Sequence, residues 1–102
     1  MKTKVVTICG SMRYSNEMME IARNLEIRSG YAVIQCVYNV DISKNQDTNV
    51  FDMLAKLHFK KIDISDAIYV VNIEGYIGES TKSEIEYATK NGKEIIYHES
   101  IV

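Results

Sequence analysis

The 102-residue chain contains no proline and no tryptophan, and no low-complexity tract or internal repeat interrupts it. Its longest apolar runs have the length of β-strands, so no segment is predicted to span a membrane. The apolar run near the N-terminus is too short for a secretory signal, and no small-residue cleavage site follows it. These absences predict one small globular domain, which we expect to be cytoplasmic.

An excess of charge of one sign is also missing. The 12 lysines and arginines nearly balance the 14 acidic residues, and no basic stripe stands out. This balance argues against an extended nucleic acid as a partner. The two cysteines, Cys9 and Cys36, lie in apolar segments without CxxC spacing or a histidine at metal-site spacing. We therefore expect reduced core thiols, and neither a metal nor a cofactor.

What the sequence does contain is a regular alternation of strand and helix signals. The predicted strands cover residues 4–9, 31–38, 67–73 and 94–98. The predicted helices cover residues 16–29, 49–62, and a stretch from residue 80 or 81 to 91, while residues 39–48 form a polar loop. The β-α-β-α-β-α-β order predicts an α/β fold, a small flavodoxin-like parallel sheet in order 2-1-3-4 with helices on both faces.

In such sheets the ligand site lies beyond the carboxyl ends of the strands, where the strand order reverses. The first loop entering that crevice is "GSMRYS", which offers Gly10, Ser11 and Arg13 just before a helix. Free N–H groups, a hydroxyl and a guanidinium suit a phosphate or a carboxylate. The alternative is an ordinary turn with a capping serine and a solvated arginine.

The second loop entering the crevice is "EGYIGEST", residues 74–81. Its two glycines, Gly75 and Gly78, let the backbone approach a ligand closely. Tyr76 either lies against a ligand ring or only covers the loop. Ser80 and Thr81 stand just before the next helix.

Two glutamates follow in that helix, and helix geometry directs Glu84 and Glu86 to nearly opposite sides. Glu86 has lysines four residues before and after it, which describes a solvated face. Glu84 lies beside the packing row and near the crevice, so it is the better candidate for a catalytic carboxylate. The alternative is that Thr81 and Glu84 form a capping box.

Two histidines complete the set of titratable candidates. His58 lies on the apolar face of the second helix with Phe51, Leu54 and Ile62. It is either a hydrogen-bonded core residue or a general acid at the crevice. His98 ends the last strand and is expected to face solvent.

Three segments resemble a known superfamily. "ICGSMR" resembles the "CGSIRGG" phosphate loop of the 2′-deoxynucleoside 5′-phosphate N-hydrolases. "SEIEYATKNGKEIIY" resembles the nucleophile helix and following strand of these enzymes and of the nucleoside 2-deoxyribosyltransferases, and "DISDAIYVVNI" resembles their third strand. The resemblance covers nearly the whole chain, in order, on the fold already predicted.

The resemblance implies roles for individual residues. Glu84 takes the position of the family nucleophile, and Gly10, Ser11 and Arg13 match the residues that hold the 5′-phosphate. Ser80 and Thr81 are the nearest matches to further ligand-binding residues. The family acid is an aspartate, where this chain has His58, with Asp63 a little later. The sequence also stops after a fourth strand, whereas family members have a fifth.

These observations predict a nucleoside or nucleotide N-glycosidase or N-deoxyribosyltransferase, acting on a small molecule and forming a homodimer. The alternative from another class is a non-catalytic nucleotide-binding module of the same fold. A flavin-binding relative is disfavoured by Arg13 and by the first loop, which is not rich in serine and threonine. A phospho-receiver is disfavoured because Asn72 and Glu74, rather than an aspartate, end the third strand.

Overall fold

A computed structural model describes residues 2–40 and 49–101 of the chain. The strands are β1 (Val5–Gly10), β2 (Ala32–Ile34), β3 (Ala67–Val71) and β4 (Glu94–Tyr97). The helices are α1 (Ser15–Ser29), α2 (Asn49–Asp63) and α3 (Glu79–Lys90). Most of the predicted loop, residues 41–48, lies outside the described residues. Among the helices that are described, none is both long and apolar enough to cross a bilayer.

The four strands form one parallel sheet in the order β2-β1-β3-β4, which confirms the predicted α/β fold and strand order. β1 and β3 are the central pair, in a register that runs from Val6 opposite Ala67 to Gly10 opposite Val71. Both strands are buried almost throughout, as expected of a parallel sheet covered on two sides. Their carboxyl ends meet at one edge, where the predicted crevice lies.

The two faces of the sheet carry different helices. α1 covers one face, with a core of Ile8, Met18, Ala22 and Val71. α2 and α3 cover the other face, with a core of Cys9, Ile62, Ile68, Val70 and Ala88. The division follows from strand alternation, because successive side chains of β1 point to opposite faces.

β2 is shorter than predicted. The expected strand over residues 31–38 pairs with β1 only at Ala32, Val33 and Ile34. Beyond Ile34 the chain leaves the sheet, with the Lys61 ammonium donating to the Gln35 carbonyl and Tyr38 donating to the Gln35 side chain. The apolar run therefore predicted a strand correctly for three half-buried residues and wrongly for residues 35–38.

β3 also ends earlier than predicted, at Val71, and residues Ile73–Gly75 form a short 3-10 turn. The buried Asn72 side chain marks the change. It donates to the Glu99 carbonyl at 2.9 Å and accepts from the Glu99 N–H at 2.7 Å. Glu74 follows with a φ of 56°, and its N–H donates to the Glu99 carboxylate. The second crevice loop is thus attached to the segment that follows β4.

α3 begins at Glu79, earlier than predicted, and Gly78 is its N-cap residue. Thr81 is consequently the third residue of the helix and is only 2% exposed. It cannot be the N-cap of a capping box with Glu84, so that alternative is wrong. Glu84 lies in the second turn of α3, and its position needs another explanation.

Candidate active site

A cleft of about 960 Å³ opens at the carboxyl ends of β1 and β3, as the topology predicts. Its polar floor comes from the two crevice loops and from α3. Its apolar wall comes from the segment after β2 and from α2, and includes Val37, Phe51, Leu54 and Leu57. A concave, mainly apolar site with a few converging polar groups is typical of a small-molecule site.

The first crevice loop joins β1 to α1. Gly10 and Ser11 line the cleft, and the Ser11 hydroxyl accepts from the Arg13 N–H at 3.2 Å. Gly10 is closely packed, because a Cβ there would lie 3.0 Å from the sulfur of Met18 and 3.2 Å from Val71 Cβ. The predicted capping serine is therefore confirmed, and it still borders the cleft.

Arg13 is placed differently from its loop neighbours. It is not among the described residues that line the cleft. It is exposed, and its guanidinium lies 4.0 Å from the centre of the Tyr76 ring, a cation–π arrangement. This contact joins the two crevice loops across the mouth of the cleft.

The second crevice loop brings the remaining predicted residues to the same cleft, where Tyr76, Gly78, Ser80 and Thr81 all contribute to the lining. A Cβ on Gly78 would lie 3.7 Å from the Tyr76 ring and 3.9 Å from Ser11 Cβ. The two loops therefore approach each other closely at this glycine. Gly75 shapes the turn with a φ of 78°. It is not one of the described residues that line the cleft.

The two glutamates of α3 separate as predicted. Glu86 is exposed and pairs with Lys90 at 3.2 Å. Glu84 points into the cleft, and only 18% of its side chain is exposed. Its carboxylate lies 3.6 Å from His58 Nε2.

His58 and Cys9 complete a compact group with Glu84. His58 Nε2 lies 3.4 Å from the Cys9 sulfur, and the reactive atoms of all three side chains lie within 4.8 Å of one another. Each of the three residues lines the cleft. We call Cys9, His58 and Glu84 the buried triad.

The position of His58 is fixed by hydrogen bonds one turn further along α2. The Thr7 hydroxyl donates to the Lys61 carbonyl at 3.1 Å and lies 2.6 Å from the Ser65 hydroxyl. Ser65 also donates to the Lys61 carbonyl, at 2.8 Å. These bonds satisfy the end of α2 against β1. Because Thr7 and Cys9 alternate onto the same face of β1, His58 is held above Cys9.

Burial sets the electrostatics of the buried triad. It raises the pKa of Glu84 from 4.5 to about 7, while the adjacent Cys9 thiol acts in the opposite direction. Burial thus favours the protonated form of Glu84. Burial, together with the charge of Lys61, lowers the pKa of His58 from 6.5 to about 4. Burial first, and then the charge of Glu84, raises the pKa of the Cys9 thiol well above its usual value.

The other acid and base candidates lie elsewhere. Asp63 accepts a 2.6 Å hydrogen bond from the Tyr87 hydroxyl, is exposed and is not among the described lining residues. His98 is exposed as predicted, with Nδ1 2.8 Å from the Tyr69 hydroxyl. His58 is thus the histidine that the cleft contains.

Sequence reasoning missed Cys9 as a member of the site and placed it only in the core. Cys9 is 1% exposed and does belong to the core, yet its sulfur contacts a cleft histidine. The available signal was its position, since Cys9 is the last side chain of β1 before Gly10. Comparison of the chain with protein-family models and with curated proteins found no match.

Proposed function

We propose that the protein is an N-glycosidase or N-deoxyribosyltransferase that cleaves the base–sugar bond of a nucleoside or its 5′-monophosphate. The observation that carries this proposal is the carboxylate of Glu84, half-buried at the floor of the cleft and in contact with His58. The motif resemblance assigns a glutamate nucleophile to the same residue. Two independent lines of reasoning thus select one side chain.

The lining of the cleft suits a substrate that has both an apolar ring and a polar group. The wall formed by Val37, Phe51 and Leu57 suits a nucleobase. Ser11 and Gly78 line the same cleft, beside the Arg13–Tyr76 pair, and suit the polar group. The proposal requires the sugar to bind with C1′ next to Glu84.

The chemistry proposed for Glu84 is nucleophilic. The carboxylate attacks C1′ as the C1′–N bond to the base breaks, which gives a glycosyl ester through an oxocarbenium-like state. Water then hydrolyses the ester, or a second base accepts the sugar. The carboxylate must be ionised to attack, and at neutral pH its raised pKa leaves part of it protonated.

The same proton serves the leaving group. His58 is neutral at pH 7 because its pKa is lowered to about 4. The pair shares one proton, which the two pKa values place on Glu84 by about 10³-fold. The reactive form is the minor one in which His58 has taken this proton, so that the carboxylate is free to attack and His58 donates the proton to the departing base. The two groups are 3.6 Å apart, closer than the roughly 5–5.5 Å that separates the carboxyl groups of retaining glycosidases. The proposal therefore requires the Glu84 side chain to move away from His58 when the sugar binds.

The test is a base-release assay on a panel of deoxy- and ribonucleosides and their 5′-monophosphates, followed chromatographically in metal-free buffer. The Glu84→Gln variant is expected to lose at least ~10³-fold in rate. The exposed Glu86→Gln variant is the matched control and should release base at the wild-type rate. If the Glu84→Gln variant still released base at the wild-type rate, Glu84 would not be the nucleophile.

A non-catalytic nucleotide-binding module is the second candidate, and the short Glu84–His58 contact favours it. In that case no substrate of the panel releases base, while nucleotides still bind. Glu84→Gln would then retain binding, which calorimetry measures directly. Turnover by the wild-type protein would eliminate this candidate.

The homodimer remains a prediction. α2 exposes Met53, which is not among the described residues lining the cleft, with 52% of its surface accessible, next to the cleft-wall residues Phe51 and Leu57 at 37% and 49%. Apolar residues grouped in this way are a feature of association surfaces. Light scattering of the purified protein would give the oligomeric state.

A further inference from the structure

We propose that the buried triad is a binding site for a zinc-class divalent cation, with Cys9, His58 and Glu84 as its three protein ligands. Metal binding itself does not depend on the proposed function. One consequence does rest on it, because a cation held by Glu84 and His58 would block base release.

The ligand types favour this class of cation. Thiolate, imidazole and carboxylate together are the donor set of zinc and of cobalt used in its place, whereas magnesium and calcium take oxygen donors. All three donor atoms converge, within 4.8 Å of one another.

Two of the three distances between donor atoms match a tetrahedral metal centre, and the third is within the 4.8 Å that encloses the group. Bonds of about 2.3 Å to sulfur and about 2.0–2.1 Å to nitrogen, at the tetrahedral angle, separate these two atoms by about 3.5 Å. Cys9 sulfur and His58 Nε2 are 3.4 Å apart. A nitrogen and an oxygen ligand should be about 3.4 Å apart by the same geometry. His58 Nε2 and the Glu84 carboxylate oxygen are 3.6 Å apart.

The surroundings also suit a metal. Three side chains leave the fourth tetrahedral position free, as in zinc sites that bind water or substrate. That position faces the cleft, because all three ligands line it. The His58 ring is held in place through the bonds of Thr7 and Ser65 to the end of α2. Little reorganisation of the chain is needed to bind the ion.

Binding is a ligand exchange without redox chemistry. The Cys9 thiol loses its proton to solvent as the metal–sulfur bond forms, and Glu84 loses any proton it carries. His58 donates the Nε2 lone pair, so its remaining proton is on Nδ1. Water leaves the hydrated ion as the protein ligands replace it. The reaction needs only the divalent ion.

The experiment is a titration of the full-length protein with Co²⁺, followed by absorption spectroscopy and by competition with Zn²⁺. We expect a near-ultraviolet thiolate-to-cobalt band that saturates at one ion per chain and disappears when Zn²⁺ is added. Cys9→Ser should abolish the band. Cys36→Ser is the matched control and should retain it, since Cys36 is outside the triad.

A second variant guards against misfolding of Cys9→Ser. Glu84→Gln keeps the shape of the side chain and should weaken Zn²⁺ affinity by at least ~10–100-fold, the loss seen even for outer-shell partners. Glu86→Gln should bind like the wild type. Failure of the wild-type protein to give the thiolate band would overturn the proposal. So would equal affinity in Glu84→Gln, or loss of the band in Cys36→Ser.

The two proposals can fail separately. A cobalt–thiolate band in a protein that never releases base would overturn the proposed function and leave the metal site. Base release by a protein without that band would overturn the metal site alone. If both hold, Zn²⁺ should inhibit base release in proportion to its occupancy of the site, and a chelator should restore activity.

Discussion

The two faces of the sheet use the same strands for different purposes. Beneath α1, the core consists of Ile8, Met18, Ala22 and Val71, and Ser15 is the one buried polar residue of that helix. Beneath α2 and α3, the buried groups include Thr7, His58, Ser65 and Thr81, and the carboxylate of Glu84 lies at the edge of this set. Adjacent residues of β1 supply both faces. One face therefore stabilises the fold, and the other gives up stability to hold reactive groups out of water.

The largest expected effect tests whether the polar face serves chemistry. Replacing His58 with glutamine removes the residue that carries the proton and should lower the rate of base release by about 10²–10⁴-fold. The same change at His98, which is exposed and bound to Tyr69, is the control and should leave the rate unchanged. Rates come from the chromatographic base-release assay. An unaltered rate in His58→Gln would leave the polar face without its proposed role.

The next effect tests whether the α1 face serves stability alone. Met18 is fully buried, so Met18→Ala should lower the free energy of unfolding by about 2–5 kcal/mol. Met19, its 40% exposed neighbour, is the control, and Met19→Ala should change stability by no more than about 0.5 kcal/mol. Urea denaturation measures both. The folded Met18→Ala protein should keep the wild-type rate of base release, and a lost rate would mean that the faces are coupled.

The third prediction measures what Glu84 costs the fold in metal-free protein. Its pKa is about 7 in the folded state and 4.5 ordinarily, so burial favours the protonated form. The contribution of Glu84 to the free energy of unfolding is fully present below pH 4.5. It is lost as the pH rises through 7, which lowers the free energy of unfolding by up to about 3 kcal/mol. Glu84→Gln should therefore be more stable than wild type at pH 8, with the difference shrinking towards pH 4.5.

The control for this pH dependence is Glu86→Gln, because Glu86 is exposed and its pair with Lys90 contributes little. Unfolding free energies from urea titrations at several pH values would show the trend. A constant difference between Glu84→Gln and wild type across this range would mean that folding leaves the pKa of Glu84 unshifted.

The smallest expected effect concerns the mouth of the cleft. Arg13→Gln removes a charged hydrogen-bond donor, worth about 1.5–3 kcal/mol towards a phosphate. The preference of the Arg13→Gln variant for monophosphates over nucleosides should therefore be about 10–100-fold lower than that of the wild type. Arg23→Gln, at an exposed position of α1, is the control. Relative values of kcat/KM for the two substrate types give the measurement, and an unchanged preference would place the phosphate elsewhere.

The fold was predictable because its information is local. Buried strands appear in the sequence as apolar β-branched runs, and helices appear as apolar residues repeating every 3.6 positions. The alternation of the two signals predicts a parallel sheet. The separation of Glu84 from Glu86 also followed from helix geometry alone. The apolar run of residues 31–38 misled, because Cys36 and Val37 line the cleft and an apolar cleft residue has the same sequence pattern as an apolar strand residue.

The buried triad was less accessible to prediction because its members are far apart in the chain. Cys9 and His58 are separated by 49 positions, and no spacing rule connects them. The raised pKa of Glu84 depends on how deeply α2 and α3 cover it, which the sequence does not encode locally. The start of α3 at Glu79 was missed because a glycine, Gly78, serves as N-cap in place of the expected threonine.

The side chain of Asn72 has a consequence for hydrogen exchange. Its amide pairs with both backbone groups of Glu99, as a neighbouring strand would, although Glu99 lies beyond β4. The Glu99 amide should therefore exchange with deuterium slowly, like those of a strand. The Glu99 carboxylate in turn holds the Glu74 amide of the second crevice loop. Opening of that loop should appear as simultaneous loss of protection at Glu74 and Glu99, two sites 25 positions apart in the chain.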